Sequence, residues 1–194
     1  MEKKKQRKLI IMQSLAAMLE ERDLLKVTTA ELAKRSEITE AAIYKHFPSK
    51  RKIFEELVVF FEESVFTRIK VMKEESKPED FPGQLIALVL KFCETNKGFS
   101  RILTREVFTA DEVKIIDTVS NCFEKINIEI RQSLQEYERT TKKKLNLNLA
   151  ATCDLLLSCL EGQIQSFVRS KFKKDLSGSW EDQWNFLKKA IFAN

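Results

Sequence analysis

An all-α fold follows from three features of the sequence. Gly and Pro are scarce, at 4 and 3 of 194 residues, so few positions break a helix. Charged residues make up 32% of the chain and hydrophobic ones 43%, which leaves enough apolar surface for a sizeable core. Apolar residues recur at helical spacing in most segments, and no stretch reads convincingly as a strand.

The elements can be justified in order. Residues 3–21 read as a helix with Ile11, Leu15, Met18 and Leu19 on one face. Lys3, Lys4, Lys5, Arg7 and Lys8 precede its first apolar residues, but Gln13 and Ser14 interrupt the apolar run, so an amphipathic helix explains it better than a secretion signal. Residues 28–36 form a short second helix that starts in a capping box, Thr28 with Glu31. Thr39 caps a third helix through Lys45, and Pro48 ends it by disfavouring helical geometry at Phe47. Ser49 caps a long fourth helix, about 49–75, and residues 77–83, with Pro78, Pro82 and Gly83, read as a linker. A fifth helix covers about 83–95 and a short sixth about 99–107. Val113, Ile116, Val119, Phe123, Ile126 and Ile130 mark a seventh over about 111–139, followed by a basic loop, residues 140–144. An eighth runs over about 147–171, and a ninth over about 179–192 carries a stripe of Trp180, Trp184, Leu187 and Ile191.

Charge divides the chain unevenly. Residues 1–52 hold 13 Lys/Arg and 7 Asp/Glu, a balance of +6; residues 53–194 hold 21 and 22, a balance of −1. A basic front beside a neutral body suggests a polyanion-binding module on a separate scaffold. The natural division is therefore 1–48 for that module and 49–194 for the larger helical domain. Cys93, Cys122, Cys153 and Cys159 lack zinc-ligand spacing, and the single histidine, His46, is far from them in sequence. No metal, no cofactor and no disulfide is expected, and reduced core thiols suit a cytoplasmic setting. With one histidine, no Gly-rich loop and no nucleophile beside a plausible base, an enzyme is not expected. Beyond the N-terminus the longest apolar run, residues 85–90, is too short to span a bilayer.

Three short helices, the last two joined by a tight turn, have the layout of a helix-turn-helix. Leu32, Ala33, Ile38, Ala42 and Ile43 supply a small core, and the small Ala41 and Ala42 let the third helix pack closely. Thr39, Glu40, Tyr44, Lys45 and His46 are left on the outer faces. Short side chains at the start of a recognition helix approach base edges, and donors at its flanks hold phosphates. Tyr44, His46 and Lys50 suit the phosphate role, Lys50 from the first turn of the fourth helix. The alternatives are a core aromatic at Tyr44 and a helix-end cap at His46. The run from Lys3 to Lys8 is either a phosphate-binding arm or a solvated end.

Residues 28–33 and 41–50 resemble the DNA-binding domain of the TetR family. Similar stretches continue at 12–20, 67–69, 100–104, 159–162 and 167–173, where the chain resembles the nucleoid occlusion branch of that family. The resemblance implies a nine-helix TetR-like fold, with Thr28, Thr29 and Ala41 joining Thr39, Glu40, Tyr44, Lys45, His46 and Lys50 as DNA-binding positions. It further implies a nucleoid-associated homodimer that binds palindromic double-stranded DNA and, while bound, takes the C-terminal tail of the division protein FtsZ in a groove between the fourth and fifth helices. The corresponding groove positions are Phe60, Arg68, Leu88, Lys91, Thr95 and Asn96. Lys91 and Thr95 depart from the branch's residue types, and Glu37 stands in the turn where the family usually has Gly.

The larger domain fits a dimer on its own terms. The eighth helix is apolar on more than one face, Leu155 lying off the main stripe, and Gly162 permits close backbone approach. The Trp stripe of the ninth helix reads as part of the same interface. Two recognition helices about 34–36 Å apart then read a palindrome on one face of a duplex. Phe60 is either an outer aromatic that receives an apolar peptide or simply core, and Arg68 and Lys91 suit an acidic segment. The alternative function is a ligand-responsive TetR-type repressor whose 14 Phe residues line a small-molecule pocket.

Overall fold

A computed structural model describes residues 2–21, 27–109 and 112–192, with backbone alone for 2–5. The described residues form nine α-helices: α1 Glu2–Glu20, α2 Thr29–Arg35, α3 Glu40–His46, α4 Lys50–Glu75, α5 Phe81–Thr95, α6 Lys97–Leu103, α7 Val113–Thr141, α8 Leu149–Arg169 and α9 Ser177–Ile191. No β-strand occurs among them; an isolated bridge joins Leu145 to Phe192.

Side-chain caps set the helix starts where the sequence places them. The hydroxyls of Thr28, Thr39 and Ser49 accept from the N–H groups of Glu31, Ala42 and Lys52, each at 3.2 Å. Asn148 does the same for α8, accepting from Ala151 N at 2.9 Å. Two boundaries differ from the sequence reading. The fifth helix starts at Phe81, so Pro82 and Gly83 lie inside its first turn rather than in a linker. Pro is tolerated there because its missing N–H is unpaired in any helix. The sixth helix occupies 97–103, since Arg105 turns into the left-handed region at φ 62 and stops it. The expected start of the seventh helix at Asp111 lies outside the described residues.

One apolar core runs through the chain. Ile11, Leu15 and Leu19 of α1 join Leu32, Ile43 and Phe47 of the helix-turn-helix, then Phe54, Leu57 and Phe61 of α4. Beneath α4, α5 is buried by Leu85, Ile86, Val89 and Leu90, and α8 by Leu156, Leu160, Ile164 and Phe167.

The Trp stripe of α9 does not face outward. Trp180 is buried and donates its indole N–H to the Gly83 carbonyl at 2.9 Å. The Trp184 ring fills the space at Gly83, where a Cβ would stand 2.1 Å from it. The stripe docks α9 on α5 within one chain, which corrects its assignment to a subunit interface. A helical wheel identifies an apolar face but not the neighbour that covers it. The aromatic rings largely pack on each other: Phe54 with Phe108, Phe61 with Phe92, Phe92 with Phe99, and Phe167 with Phe172, at 5.2–5.3 Å. All four cysteines are free thiols, and burial pushes the Cys93 thiol up to about 12.

Candidate nucleic-acid interface and peptide groove

The turn between α2 and α3 decides how the third helix is presented. Ile38 N donates to Ala33 O at 3.0 Å and Glu37 N to Lys34 O at 3.2 Å. These two bonds are the pair that closes a Schellman motif, with Glu37 at the left-handed position, φ 54. Glu37 therefore adopts the backbone that favours glycine, at a cost of about 1–2 kcal/mol. Ile38 then tucks against the core, and Thr39 starts α3.

Ile43 is fully buried and anchors α3, which sends the opposite face outward. Thr39, Glu40, Ala41, Tyr44 and Lys45 are exposed on it, and His46 is half-buried at its end. Tyr44 is 49% exposed, so it is not a core aromatic; its hydroxyl lies 3.5 Å from Thr29 Oγ1. Thr28 is exposed at the start of α2, although its hydroxyl is used by the cap. Beside them, Lys8 Nζ lies 5.1 Å from the Phe47 ring centre, which brings an α1 cation to the end of α3.

Lys50 behaves differently from the other candidates. It is half-buried, its ammonium donates to the Val27 carbonyl, and it lies 5.8 Å from the Phe54 ring centre. Burial lowers its pKa, with Glu112 acting in the opposite direction. The sequence could place Lys50 at a helix N-terminus but not show this inward turn, because Val27 and Phe54 meet it only in the fold.

The second candidate site lies between α4 and α5. The two helices run antiparallel, with Phe61 on Phe92 at one end and Ser76 bonded to Gln84 at the other. Phe60 is 39% exposed and leans on the Phe99 ring at 5.9 Å, so it is an outer aromatic and not core. Arg68 is exposed, with Nη1 donating to Ser64 O at 3.3 Å. It lines an open groove of about 570 Å³ with Thr67, Val71 and Gln84. Leu88, Lys91 and Thr95 share one stripe of α5 through i, i+3 and i+4 spacing, and Asn96 closes the helix, donating to Phe92 O at 2.9 Å. Thr95 donates its hydroxyl to Lys91 O at 2.9 Å. Of the six sequence-derived positions, Arg68 lines this groove, Phe60 lies on α4 against Phe99, and Leu88, Lys91, Thr95 and Asn96 lie on α5 and at its end. The sequence reading missed Thr67, Val71 and Gln84, although 60, 64, 67 and 71 repeat on one helical face.

Glu94 is the other residue missed. It pairs with Lys91 at 2.9 Å and accepts from Leu176 N at 3.2 Å and from the Ser177 hydroxyl. The Ser177 hydrogen bond, helped by Lys91, holds its carboxyl down at about 2. One carboxylate therefore restrains Lys91 and caps the start of α9.

Comparison with known proteins assigns the chain to a family. Residues 11–57 match the family model for bacterial regulatory proteins of the tetR family, and residues 83–191 match a tetracyclin repressor-like C-terminal domain of SlmA type. The chain is 36% identical over 193 residues to nucleoid occlusion factor SlmA of Marinomonas sp. (strain MWYL1), covering 99% of this chain and 98% of that one. It is 38% identical over 182 residues to SlmA of Shewanella pealeana, covering 93% and 92%. Among solved structures, the fold is similar to FadR from Bacillus subtilis in complex with stearoyl-CoA, with TM-score 0.75, 14% identity and 94% and 98% coverage. It is also similar to a putative tetR family regulator from Shewanella sp. PV-4, with TM-score 0.66, 12% identity and 97% and 99% coverage. The relatives are matched across both the helix-turn-helix and the variable C-terminal half, so the chain belongs to the TetR family of bacterial regulatory proteins and, within it, to the SlmA nucleoid occlusion factors.

Proposed function

We propose that residues 1–48 bind palindromic double-stranded DNA. We further propose that residues 49–194 hold two copies together and take the C-terminal tail of FtsZ, so that septal ring assembly is inhibited over the nucleoid. The observation that carries this reading is the match over residues 83–191, the half in which TetR-type proteins differ most. The exposed face of α3 supplies the duplex contacts: Thr39, Glu40 and Ala41 towards bases, and Tyr44, Lys45 and His46 towards phosphates, with Thr28, Thr29 and Lys50 at the flanks. The groove residues Phe60, Arg68, Leu88, Lys91, Thr95 and Asn96 supply an apolar wall and a cationic end for an acidic, partly apolar peptide.

Dimerisation follows from what α8 and α9 leave uncovered. Leu155 is exposed, Phe186 is 73% exposed, and a Cβ on Gly162 would meet nothing within 4 Å. An apolar face with an open glycine suits the close approach of a second α8 across a two-fold axis. Nucleoid association follows from the DNA contacts. Among the described residues no helix is long and apolar enough to cross a membrane. The relatives reported above are regulators, and we assign the chain no reaction.

Co-sedimentation of FtsZ polymers with the protein and a specific duplex tests the reading. A DNA-dependent loss of polymer supports it. Unchanged polymers, with occupancy at only one or two promoters in a genome-wide map of bound sites, favour the ligand-responsive repressor. Arg68→Asp keeps duplex binding and abolishes FtsZ binding; loss of both indicates misfolding instead.

A further inference from the structure

We propose that the cavity beside Lys50 binds a small monoanion with an apolar body, of the class of an aromatic carboxylate. The cavity lies between the end of α1, the start of α4 and the segment that joins α6 to α7.

It encloses about 250 Å³, below the range of sites that take a drug-sized ligand. Leu19, Val27, Phe54, Val107 and Phe108 supply its apolar wall. Phe54 and Phe108 meet edge to face at 5.3 Å, an arrangement that a third ring can join. Lys50 is the cation among the lining residues. The first turn of α4 holds Lys50, Arg51 and Lys52 and no acidic residue. Its dipole therefore adds to their charge and favours an anion. Glu55 takes up both neighbours, 3.5 Å from Arg51 and 3.0 Å from Lys52. Lys50 is left with the neutral Val27 carbonyl, its one hydrogen-bond partner among the described residues. Burial lowers its pKa, and Glu112 offsets this only in part. Glu112 is itself bonded to the Thr109 N–H at 3.0 Å and to the Thr109 hydroxyl at 3.2 Å. A half-buried ammonium held by a carbonyl alone gains from a carboxylate.

The same surroundings set the charge of the ligand. Glu106 lines the cavity and stands 3.9 Å from Arg101, and Glu112 acts on Lys50 from outside it. Two carboxylates near one ammonium oppose a second negative charge, so a phosphate dianion is disfavoured. An inorganic ion would also leave the apolar wall uncovered.

The site stands on the cavity and its cation. Its consequence for DNA rests on the reading of Lys50 as a flanking phosphate contact given above. A carboxylate seated on Lys50 Nζ competes with a duplex phosphate for the same ammonium. Competition at a shared atom requires no movement of the helices.

The test uses the full chain with benzoate as probe and benzyl alcohol as its uncharged counterpart, read by saturation-transfer NMR at fixed ionic strength. Benzoate is expected to bind saturably, about tenfold or more tighter than benzyl alcohol. Lys50→Met keeps the apolar stem and removes the charge. Val107→Glu gives Lys50 a carboxylate from its own chain. Each variant is expected to weaken benzoate by about tenfold or more, with thermal unfolding showing that it is folded. Should Lys50→Met fail to fold, Val107→Glu decides alone. Absence of saturable binding, equal affinity for benzyl alcohol, unchanged benzoate affinity in the folded variants, or tighter binding of inorganic phosphate each overturns the site. A second arm reads a labelled cognate duplex by anisotropy. Saturating benzoate is expected to weaken the duplex by about twofold or more in the wild type and to have no effect in Val107→Glu. Benzoate bound at Lys50 with duplex affinity unchanged keeps the site, overturns the competition and removes Lys50 from the duplex contacts.

Discussion

Gly98 of α6 lies so close to Ala16 of α1 that a Cβ on it would stand 2.1 Å from the Ala16 carbonyl oxygen. That oxygen belongs to helix backbone and cannot rotate away. Gly98 has no positive φ, so space and not backbone geometry demands glycine here. Gly98→Ala is expected to cost about 1–3 kcal/mol through overpacking. Thermal unfolding checks this, since each kcal/mol moves Tm by about 2–4 °C in a chain of this size. Duplex affinity is expected to fall in the same variant, because α1 positions the helix-turn-helix.

Gly162 is the opposite case. Nothing in its own chain occupies the place of its Cβ, so the isolated subunit gains about 0.5–1 kcal/mol from Gly162→Ala. A second α8 packed on this face reverses that gain. Gly162→Leu is expected to sediment as a monomer at concentrations where the parent chain is a dimer, with its thermal unfolding unimpaired. A dimeric Gly162→Leu variant would place the subunit contact on another face.

Glu37 tests the turn. Its left-handed φ of 54 is stabilised by the two Schellman bonds but penalised by its own Cβ. Glu37→Gly is expected to raise stability by about 1 kcal/mol, read as a higher midpoint in urea with an unchanged slope. A lower midpoint would mean that the Glu37 side chain contributes more than its backbone strain costs.

Most of this architecture was legible where local chemistry decides it. Thr28, Thr39 and Ser49 marked helix starts because a hydroxyl beside a free N–H is a sequence-local event. The glycine usual in the family at position 37 matches the left-handed backbone that Glu37 adopts at φ 54. Three features depended on contacts distant in sequence and were not legible. Pro82 and Gly83 looked like linker until α9 placed Trp180 and Trp184 against them. Lys50 looked outward until Val27 and Phe54 closed over it. Glu94 looked like one more helical carboxylate, with no local sign that Leu176 and Ser177 would reach it. The groove positions rest on family resemblance, since an exposed Phe60 and a buried one read alike in sequence.

Glu94 gives the structure an acid-sensitive point. Its carboxyl is held down from 4.5 to about 2, so its contribution is fully present above its ordinary value and is lost as pH falls towards 2. The two Trp residues of the chain both lie on α9 and report its docking. Their emission is expected to shift between about pH 4.5 and 2, and Glu94→Gln is expected to remove that step. An acid transition identical in both proteins would assign it to other carboxylates.

Tyr44 and Lys50 separate two kinds of phosphate contact. The Tyr44 hydroxyl is a neutral donor on the exposed face of α3, and its loss releases no counterion. Tyr44→Ala is expected to weaken specific and nonspecific duplexes alike and to leave the salt dependence of binding unchanged. Lys50 carries charge, and its half-buried ammonium is disfavoured where it sits. An incoming phosphate offers it a stronger partner than the Val27 carbonyl. Lys50→Ala is therefore expected to reduce the slope of log affinity against log salt by about 1. It also lowers thermal stability through the lost bond to Val27. Anisotropy titrations at several salt concentrations check both. An unchanged slope in Lys50→Ala would mean that its ammonium stays on Val27 in the complex and that its role is confined to holding the start of α4.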